Sequence, residues 1–380
     1  MTTILTCIAL TIALIPALLT LANLPLFCLS AKQHKDSDTG TRPPPNTLGV
    51  SILIPARDEA SGIETCLEHA LKSDIENIEV IVLDDHSTDE TAAIVNRIAD
   101  NQKNVRLIAG KALPKNWNGK QFACHQLAEN ASSENLLFLD ADVRLEPDGV
   151  NQLLAHLEQR NLDLLSAFPK QEMKTWLECW ILPLMHLILL GYLPIKRMRI
   201  SRDPAYAAGC GQLFLAKRSA YQSTGGHQAI RDSRHDGLML PRLFRSANLS
   251  TDVIDGTEIA TCRMYHCAAE VLRGVLKNAH EGIARPKLIG LFTILLLGQT
   301  LLPAITLLFG IIEKNHLVTT VSVATLVIAH LPRCITARRF KQSFAAIPFH
   351  VPAVILFVAL QWVALTCHLL GHSFAWRGRT

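Results

Sequence analysis

Three short acidic motifs each follow an apolar run of the sequence, and their residue types could hold a divalent cation. The motifs are Pro55-Ala-Arg-Asp-Glu59, Asp84-Asp85-His-Ser-Thr-Asp89 and Asp140-Ala-Asp142. In the last motif two carboxylates stand two residues apart, and such a pair repels unless a cation lies between them. Oxygen-only ligands suit Mg²⁺ or Mn²⁺ that also bridges to the phosphates of a substrate. Asp140 and Asp142 are therefore candidate metal ligands.

Each motif also has a purely structural explanation. Asp58 and Asp89 carry short acceptor side chains that could cap the N-termini of the helices that follow them. Asp84-Asp85 could open a turn. A single motif would not decide between structure and chemistry, but three acidic motifs that each end an apolar run favour a common cleft.

The elements that must position these motifs alternate between strand and helix. The predicted strands are 50–55, 78–83, 105–109 and 136–139, and the predicted helices are 61–72 and 89–100. Continuous apolar strands that alternate with helices indicate an α/β fold with a mostly parallel sheet and helices on both faces. In such sheets ligands bind at the carboxyl ends of the strands, which is where the motifs fall.

Composition limits the class of the protein. The chain has 380 residues, of which 49% are hydrophobic and only 18% charged, and its mean hydropathy is +0.22. This composition is too apolar for a soluble protein and excludes a disordered, collagenous or coiled-coil chain. The net charge of +4 is too small to indicate a nucleic-acid partner. The ten cysteines show no C-x-x-C pattern or repeated metal-ligand spacing, so we expect free thiols.

Four segments lack charged side chains over the length that a membrane span requires. They are 1–31, 288–312, 315–332 and 342–376. We therefore predict an N-terminal transmembrane helix in 1–31, a globular domain at 46–285 and a C-terminal membrane region at 286–376 with three transmembrane helices. A cleaved signal peptide is the alternative for the first segment, but that segment lacks a basic start and its apolar stretch is too long.

Basic residues beside these segments predict their orientation. They are Lys32, Lys35 and Arg42 after the first segment, and Arg333, Arg338, Arg339 and Lys341 in a predicted loop at 333–341. By the positive-inside rule, both groups and the globular domain are expected in the cytoplasm, with the chain multi-pass in the inner (plasma) membrane. Arg377 and Arg379 argue weakly against this orientation. A shorter apolar stretch at about 176–195 is predicted to lie in the headgroup region, or else to be a buried core helix.

Taken together, the motifs resemble the family 2 glycosyltransferases. The residues that carry the resemblance are Ser51-Ile-Leu-Ile-Pro-Ala-Arg-Asp-Glu59, Val82-Leu-Asp-Asp-His-Ser-Thr-Asp89, Trp117-Asn-Gly-Lys120 and Phe138-Leu-Asp-Ala-Asp142. The resemblance implies the nucleotide-sugar-binding fold called GT-A over about 48–285. The flanking apolar segments are similar to those of the hopanoid-associated and carotenoid (diaponeurosporenoate-type) enzymes, and ceramide glucosyltransferase has a similar layout.

The resemblance also implies roles for the residues that bind the donor. Pro55, Arg57 and Glu59 would line the nucleotide pocket, Asp84 or Asp85 would accept a hydrogen bond from uracil, and Lys120 would lie by the diphosphate. Asp142 would hold Mg²⁺ or Mn²⁺, with Asp140 beside it or on the ribose.

In the second half of the chain, the resemblance points to the catalytic base. Gly211 and Gln212 precede a predicted strand and would let the backbone approach the donor sugar, although a plain tight turn explains the glycine as well. Asp236 matches the position of the family's base, and an N-cap is its structural alternative. His235 departs from the acid that usually precedes that base.

The predicted function is inverting transfer of a sugar from a nucleotide-sugar, expected to be a UDP-sugar, to a membrane lipid acceptor. One base and one displacement invert the anomeric carbon, and no second nucleophilic carboxylate is evident. The segment Val271-Leu-Arg-Gly-Val-Leu-Lys-Asn278 lacks the Gln/Arg-x-x-Arg-Trp motif of processive synthases, which predicts a single transfer. The alternatives are a transferase that loads a polyprenyl phosphate and a non-catalytic scaffold of a lipid-synthesis complex.

Overall fold

The computed structural model describes residues 1–28 and 49–370 and divides them into two compact units. The sheet unit contains residues 27–28, 49–172 and 197–264, and the helical unit contains residues 1–26, 173–196 and 265–370. Several residues used in the topology prediction lie outside the described residues. They are Lys32, Lys35, Arg42, Arg377 and Arg379, together with the ends of the predicted segments at 29–31, 46–48 and 371–376.

The described residues form eight strands, all in one sheet. They are β1 Val50–Ala56, β2 Ile78–Asp84, β3 Val105–Ala109, β4 Asn135–Leu139, β5 Val143–Leu145, β6 Leu164–Gln171, β7 Leu213–Lys217 and β8 Thr251–Cys262. Their order is β3-β2-β1-β4-β7-β6-β8-β5. The neighbours β3-β2-β1-β4 and the pair β6-β8 are parallel, whereas β7 and β5 run antiparallel to their partners. The predicted mostly parallel sheet is confirmed, with antiparallel insertions in its second half.

Helices connect and cover the strands and form the helical unit. They are α1 Thr2–Cys28, α2 Ile63–Leu71, α3 Thr91–Ala99, α4 Gly119–Asn130, α5 Gly149–Gln159, α6 Trp176–Ile181, α7 Pro183–Tyr192, α8 Ile195–Ile200, α9 Arg218–Thr224, α10 Gly226–Ala229, α11 Asp236–Ser246, α12 Ala268–Ala279, α13 Ile289–Ile312, α14 His316–Arg339 and α15 His350–Leu369. Short 3-10 helices lie at Pro204–Tyr206 and Phe344–Phe349.

Apolar side chains cover the sheet on both faces. Side chains alternate along a strand, so Ile52 and Ile54 of β1 pack on one face, with Leu67 of α2 and Leu153 of α5. Leu53 points to the opposite face, where side chains of α4, α9 and α11 complete a second core. Burial on both faces explains why β1 is apolar at every position except Ser51. It also fixes the strand ends that carry the acidic motifs.

The helical unit contains four helices that are long and apolar enough to cross a membrane. They are α1, α13, α14 and the continuous stretch Phe344–Leu369. A buried Asn23 ties α1 to α7, because its amide nitrogen donates to the carbonyls of Leu190 and Leu193 and its oxygen accepts from the backbone N–H of Ile195. The stretch predicted at 176–195 is two helices here, and Pro183 begins the second of them.

The predicted loop at 333–341 is wrong for most of its length. Helix α14 continues through Arg333 and ends at Arg339, with Phe340 as its C-cap. Lys341, beyond the helix, has a φ of 53°. The prediction ended the span at its first charged residue, but charged side chains do not by themselves break a helix. Arg333 is 2% exposed and is part of the packed interior of the helical unit.

Asp252 is a buried carboxylate of β8 that pairs with three basic side chains of the sheet unit. Asp252 lies 3.2 Å from His156 Nε2, 3.3 Å from Arg160 Nε and 2.9 Å from Arg199 Nε, and its side chain is fully buried. Burial alone would raise the pKa of Asp252, but the hydrogen bond with His156 and the charge of Arg199 lower it below its usual value.

We expect Asp252→Asn to destabilise the protein strongly. The substitution keeps the shape of the side chain but leaves the partner charges without their carboxylate, which typically costs about 3–5 kcal/mol for a buried pair. Chemical unfolding of the purified chain at pH 7 measures this loss. Asp100→Asn is the control, since Asp100 is exposed, and it should change the free energy of unfolding by less than about 0.5 kcal/mol.

The loss of folding stability in Asp252→Asn should also depend on pH. The pKa of Asp252 is lower in the folded chain than in the unfolded chain, where an aspartate titrates near pH 4. Its contribution is therefore complete at neutral pH and disappears as the pH falls below about 4 through the folded-state pKa. A stability difference between wild type and Asp252→Asn that stayed constant down to pH 2 would contradict this assignment.

Candidate active site

Two loops at the carboxyl ends of β1 and β2 are joined by side-chain hydrogen bonds. Asp58 accepts from the backbone N–H of Thr88 at 2.7 Å, and Asp89 accepts from the backbone N–H of Ala60 at 3.0 Å. Helices α2 and α3 have Gly62 and Glu90 as their N-caps, but Asp89 Oδ1 also accepts from the backbone N–H of Thr91, the first residue of α3, at 3.0 Å. The hydrogen bonds of Asp58 and Asp89 hold the first two acidic motifs side by side.

The predicted nucleotide-pocket residues lie in and around these loops. Arg57 donates to the backbone oxygen of Asp85 at 2.5 Å and lies 3.8 Å from the Asp85 carboxylate. Asp84 accepts from the backbone N–H of Ser87 at 3.3 Å. Pro55 is buried inside β1. The backbone N–H of Glu59 donates to Thr91 at 2.8 Å. Contact between any of these residues and a nucleotide stays a prediction.

Lys120 brings together three distant segments of the sheet unit. It is the second residue of α4, whose N-cap Asn118 accepts from the Lys120 backbone N–H. Its ammonium nitrogen lies 2.7 Å from Asp140 Oδ1 and 3.0 Å from Asp236 Oδ2, and it donates to the carbonyl of Gly211 at 3.1 Å. Burial alone would lower the pKa of Lys120, but the charges of Asp140 and Asp236 raise it well above its usual value.

Asp236 is the first residue of α11 and is 8% exposed. The N-cap of that helix is His235, and Asp236 Oδ1 accepts from the backbone N–H of Gly237 in the first turn at 2.8 Å. Burial alone would raise the pKa of Asp236, but the neighbouring Lys120 ammonium lowers it below its usual value. The side chain is therefore a carboxylate at neutral pH, which is the protonation state that a general base needs.

Asp142 carries the clearest sign of a cation site. Its Oδ1 atom is buried and has no hydrogen-bond partner among the described residues. Burial and the charges of Asp140 and Glu59 raise the pKa of Asp142 to about 7. A buried carboxylate oxygen without a protein partner, close to a second carboxylate, fits a divalent cation.

The described residues contain no group of three or more His, Cys, Asp or Glu side chains arranged to hold a metal. The ligands that the sequence predicts, Asp140 and Asp142, are two carboxylates that interact electrostatically. Such a set suits Mg²⁺ or Mn²⁺, which commonly complete their coordination with water and substrate phosphates.

Gly211 and Gln212 position the residues around Lys120. The backbone oxygen of Gln212 accepts from the N–H of Asp140 at 3.0 Å and so fixes the turn after β4. The Gln212 side chain is 5% exposed, and its amide contacts Gln171 at 2.9 Å and Cys262 at 2.7 Å. The sequence does not predict these two contacts of Gln212, because Gln171 and Cys262 lie 41 and 50 residues from it and no local pattern marks them.

The structure thus brings four of the predicted site residues into direct contact. Lys120, Asp140, Gly211 and Asp236 meet around one ammonium group. Asp142 interacts electrostatically with Asp140 and Lys120. An arrangement of this kind can hold a cation, neutralise phosphate charge and accept a proton within one cleft.

Comparisons with known proteins show which family this chain resembles. Residues 51–225 match the family model described as glycosyl transferase family 2. The 4,4'-diaponeurosporenoate glycosyltransferase of Staphylococcus aureus strain MRSA252 is 28% identical over 260 residues, which are 67% of this chain and 67% of that protein. The protein of the same name from strain NCTC 8325 is also 28% identical, over 259 residues.

A solved structure has the same fold. The mannosyltransferase PcManGT from Pyrobaculum calidifontis, in complex with GDP-Man and Mn²⁺, superposes with a TM-score of 0.54. The superposition covers 97% of this chain and 99% of that chain at 17% sequence identity. At this identity the likeness shows the fold alone.

We expect Gly211→Ala to displace Asp236. A Cβ atom at Gly211 would overlap the Asp236 carboxylate, so the side chain must leave its position beside Lys120. A displacement of about 1 Å can lower a reaction rate by about 100-fold, which a sugar-transfer assay measures. Gly62→Ala is the control, since a Cβ there would make only an ordinary contact at 3.6 Å with the carbonyl of Ala141. Normal turnover of Gly211→Ala would show that the position of Asp236 does not matter.

Proposed function

We propose that this chain, whose residues 51–225 match the family 2 glycosyltransferase model, transfers a sugar from a UDP-sugar to a membrane lipid acceptor with inversion. The sheet unit has the GT-A fold. The observation that carries the proposal is the contact of Lys120 with both Asp140 and Asp236. That ammonium group lies between the candidate metal ligand and the candidate base, where a diphosphate and an acceptor hydroxyl must meet.

The donor is proposed to bind across the ends of β1 and β2. Arg57, Glu59 and one of Asp84 and Asp85 would surround the nucleotide, beside the buried Pro55, and Asp85 is held in place by Arg57. Asp140 and Asp142 would hold Mg²⁺ or Mn²⁺, and the cation, when bound, would offset negative charge on the diphosphate. The unpartnered Oδ1 atom of Asp142 supports this assignment.

Lys120 and Asp236 are proposed to carry out the transfer. Lys120 stabilises negative charge that develops on the departing diphosphate. Asp236 accepts the proton of the acceptor hydroxyl while the hydroxyl oxygen bonds to the anomeric carbon. The bond between that carbon and the diphosphate breaks, and the nucleoside diphosphate leaves with the bonding electron pair. A single displacement at the carbon inverts its configuration.

A lipid acceptor is supported by the apolar helices and by the relatives. The matched S. aureus proteins are named for a diaponeurosporenoate acceptor, and the four long apolar helices suit a chain that works at a membrane. The acceptor class that we propose is therefore a hopanoid, a carotenoid or another membrane lipid. Mass spectrometry of lipid extracts from cells with and without the gene tests it, and the proposal requires a sugar-sized mass difference on a lipid.

We also propose that the chain is multi-pass in the plasma membrane with the sheet unit in the cytoplasm. Lys314, between α13 and α14, would then lie outside, whereas Arg339 at the end of α14 would lie inside. In intact cells a membrane-impermeant thiol reagent should label Lys314→Cys above the wild-type background but not Arg339→Cys. Equal labelling of both variants would exclude this arrangement.

We expect Asp236→Asn to bind donor normally and to transfer sugar slowly. The amide oxygen can still accept a hydrogen bond from Lys120, but the amide cannot accept the acceptor's proton. Loss of a general base lowers the rate by about 10²–10⁴-fold. Donor affinity and turnover are measured together, and Asp232→Asn is the control because Asp232 is an exposed acid four residues away. Near-normal turnover of Asp236→Asn would leave the base unassigned.

We expect Asp142→Asn to weaken donor binding that depends on the metal. An amide oxygen is a neutral and weaker ligand than a carboxylate, so UDP affinity in Mn²⁺ should fall by at least about tenfold. In chelator, where no metal is bound, the variant and the wild type should have similar UDP affinities. Asp148→Asn replaces an exposed acid and is the matched control. Full activity of the wild type in chelator would overturn the metal assignment.

A further inference from the structure

A buried polar cluster lies inside the helical unit and takes no part in the proposed transfer chemistry. The Arg333 guanidinium donates to the side-chain oxygen of Gln342 at 2.6 Å and to the backbone oxygen of Cys179 at 3.4 Å. The Gln342 amide nitrogen is 3.2 Å from His186 Nδ1, and the His186 ring stacks on Phe340 with centroids 4.0 Å apart. We call Arg333, Gln342, His186, His330 and His350 the Arg333 cluster.

The positive charge of Arg333 is not compensated within the described residues. Arginine stays protonated in proteins, and none of the described carboxylates forms a salt bridge with Arg333. Both of its hydrogen-bond acceptors are neutral. An uncompensated charge inside a protein or a bilayer costs several kcal/mol, which is why ionisable residues within apolar spans usually mark functional sites.

A second buried arginine shows how this chain stabilises such a group for structural reasons. Arg245 in the sheet unit is also 2% exposed. It donates to four oxygens, those of Asp203, Thr251, Met198 and Ser201, at 2.7–3.1 Å. It also interacts electrostatically with the carboxylates of Asp203 and Asp252. Arg333 has half as many oxygen partners and no such carboxylates, so a structural role explains Arg245 better than Arg333.

His350 provides an independent sign of an incomplete site. Its side chain is 1% exposed, and neither ring nitrogen has a hydrogen-bond partner among the described residues. Its ring centroid lies 5.3 Å from that of His330, one turn before Arg333 on α14. His350 also interacts electrostatically with Arg333. A buried imidazole usually has a hydrogen bond at one nitrogen or both, so His350 departs from this pattern among the described residues.

We propose that the Arg333 cluster binds the anionic head group of a membrane lipid, a carboxylate or a phosphate. Such a group would supply the negative charge that Arg333 lacks and oxygen atoms for the His350 ring. Within an apolar span the anion would be carried by a lipid. The inference rests on the proposed membrane anchoring, but not on the transfer reaction, because every residue of the cluster belongs to the helical unit.

Lipid titration of the purified full chain in an uncharged detergent tests the proposal without any sugar donor. The ligands are phosphatidic acid, oleate, phosphatidylcholine and inorganic phosphate, and the readouts are Kd and the ligand-induced rise in melting temperature. Wild type should bind at least one anionic lipid about tenfold or more tightly than phosphatidylcholine. Equal affinity for the zwitterionic and anionic lipids would overturn the proposal. Binding of inorganic phosphate as tight as that of the lipids would assign the cluster to a free anion instead.

Variants distinguish lipid binding at the Arg333 cluster from non-specific attraction to exposed basic side chains. Arg333→Gln should abolish the preference for anionic lipid, whereas Arg338→Gln removes the same charge from an exposed position on the same helix and should keep it. Equal loss in both variants would mean non-specific attraction and would overturn the site. If Arg333→Gln does not fold, His350→Ala decides, because it leaves Arg333 in place and should lower the preference by at least about threefold. An unchanged preference in a folded His350→Ala would contradict the proposal.

The lipid-binding experiment and the sugar-transfer experiments can fail independently of each other. A chain that binds anionic lipid through Arg333 but transfers no sugar would contradict only the proposed function. A chain that transfers sugar but shows no dependence on Arg333 for lipid binding would contradict only the site proposed here.

Discussion

The ammonium group of Lys120 holds together the segments on which the candidate active site depends. Its three acceptors come from the turn after β4, the loop before β7 and the start of α11, and Lys120 itself comes from α4. The charge of Lys120 also lowers the pKa of the buried Asp236 below its usual value. One charge therefore holds Asp140 and Asp236 together and keeps Asp236 ionised.

The same constraint explains the arrangement around Lys120. Gly211 must be glycine because a side chain there would occupy the space of the Asp236 carboxylate. The carbonyl of Gly211 then completes the coordination of the ammonium group. The buried side chain of Gln212 bonds to Gln171 and Cys262 and so holds the loop before β7 in place. Asp142 differs from these residues: its carboxylate has a hydrogen bond with Cys262, but its buried Oδ1 atom has no hydrogen-bond partner among the described residues.

Buried charges elsewhere in the chain follow two different patterns. In the sheet unit, Asp252 has three basic partners and Arg245 has four oxygen acceptors. Such groups are satisfied within the fold and serve its stability. In the helical unit, Arg333 and His350 are buried with far fewer partners. The charges of Asp252 and Arg245 are compensated within the sheet unit, whereas the lipid site proposed above rests on the few partners of Arg333 and His350 among the described residues.

The sequence by itself determined the strands, the covering helices and the acidic strand ends, because the periodicity of apolar residues and the residues that follow each run are local properties. It could not determine that α14 passes through Arg333, since the burial of a charged side chain depends on packing against distant residues such as Cys179. Nor could it determine that Lys120 bonds Asp236 or Gly211, which is 91 residues away. Those contacts exist only when the antiparallel β7 is placed beside β4. Only the tertiary structure decides such pairings, because they depend on the free energy of burying charges together and not on the preference of any segment.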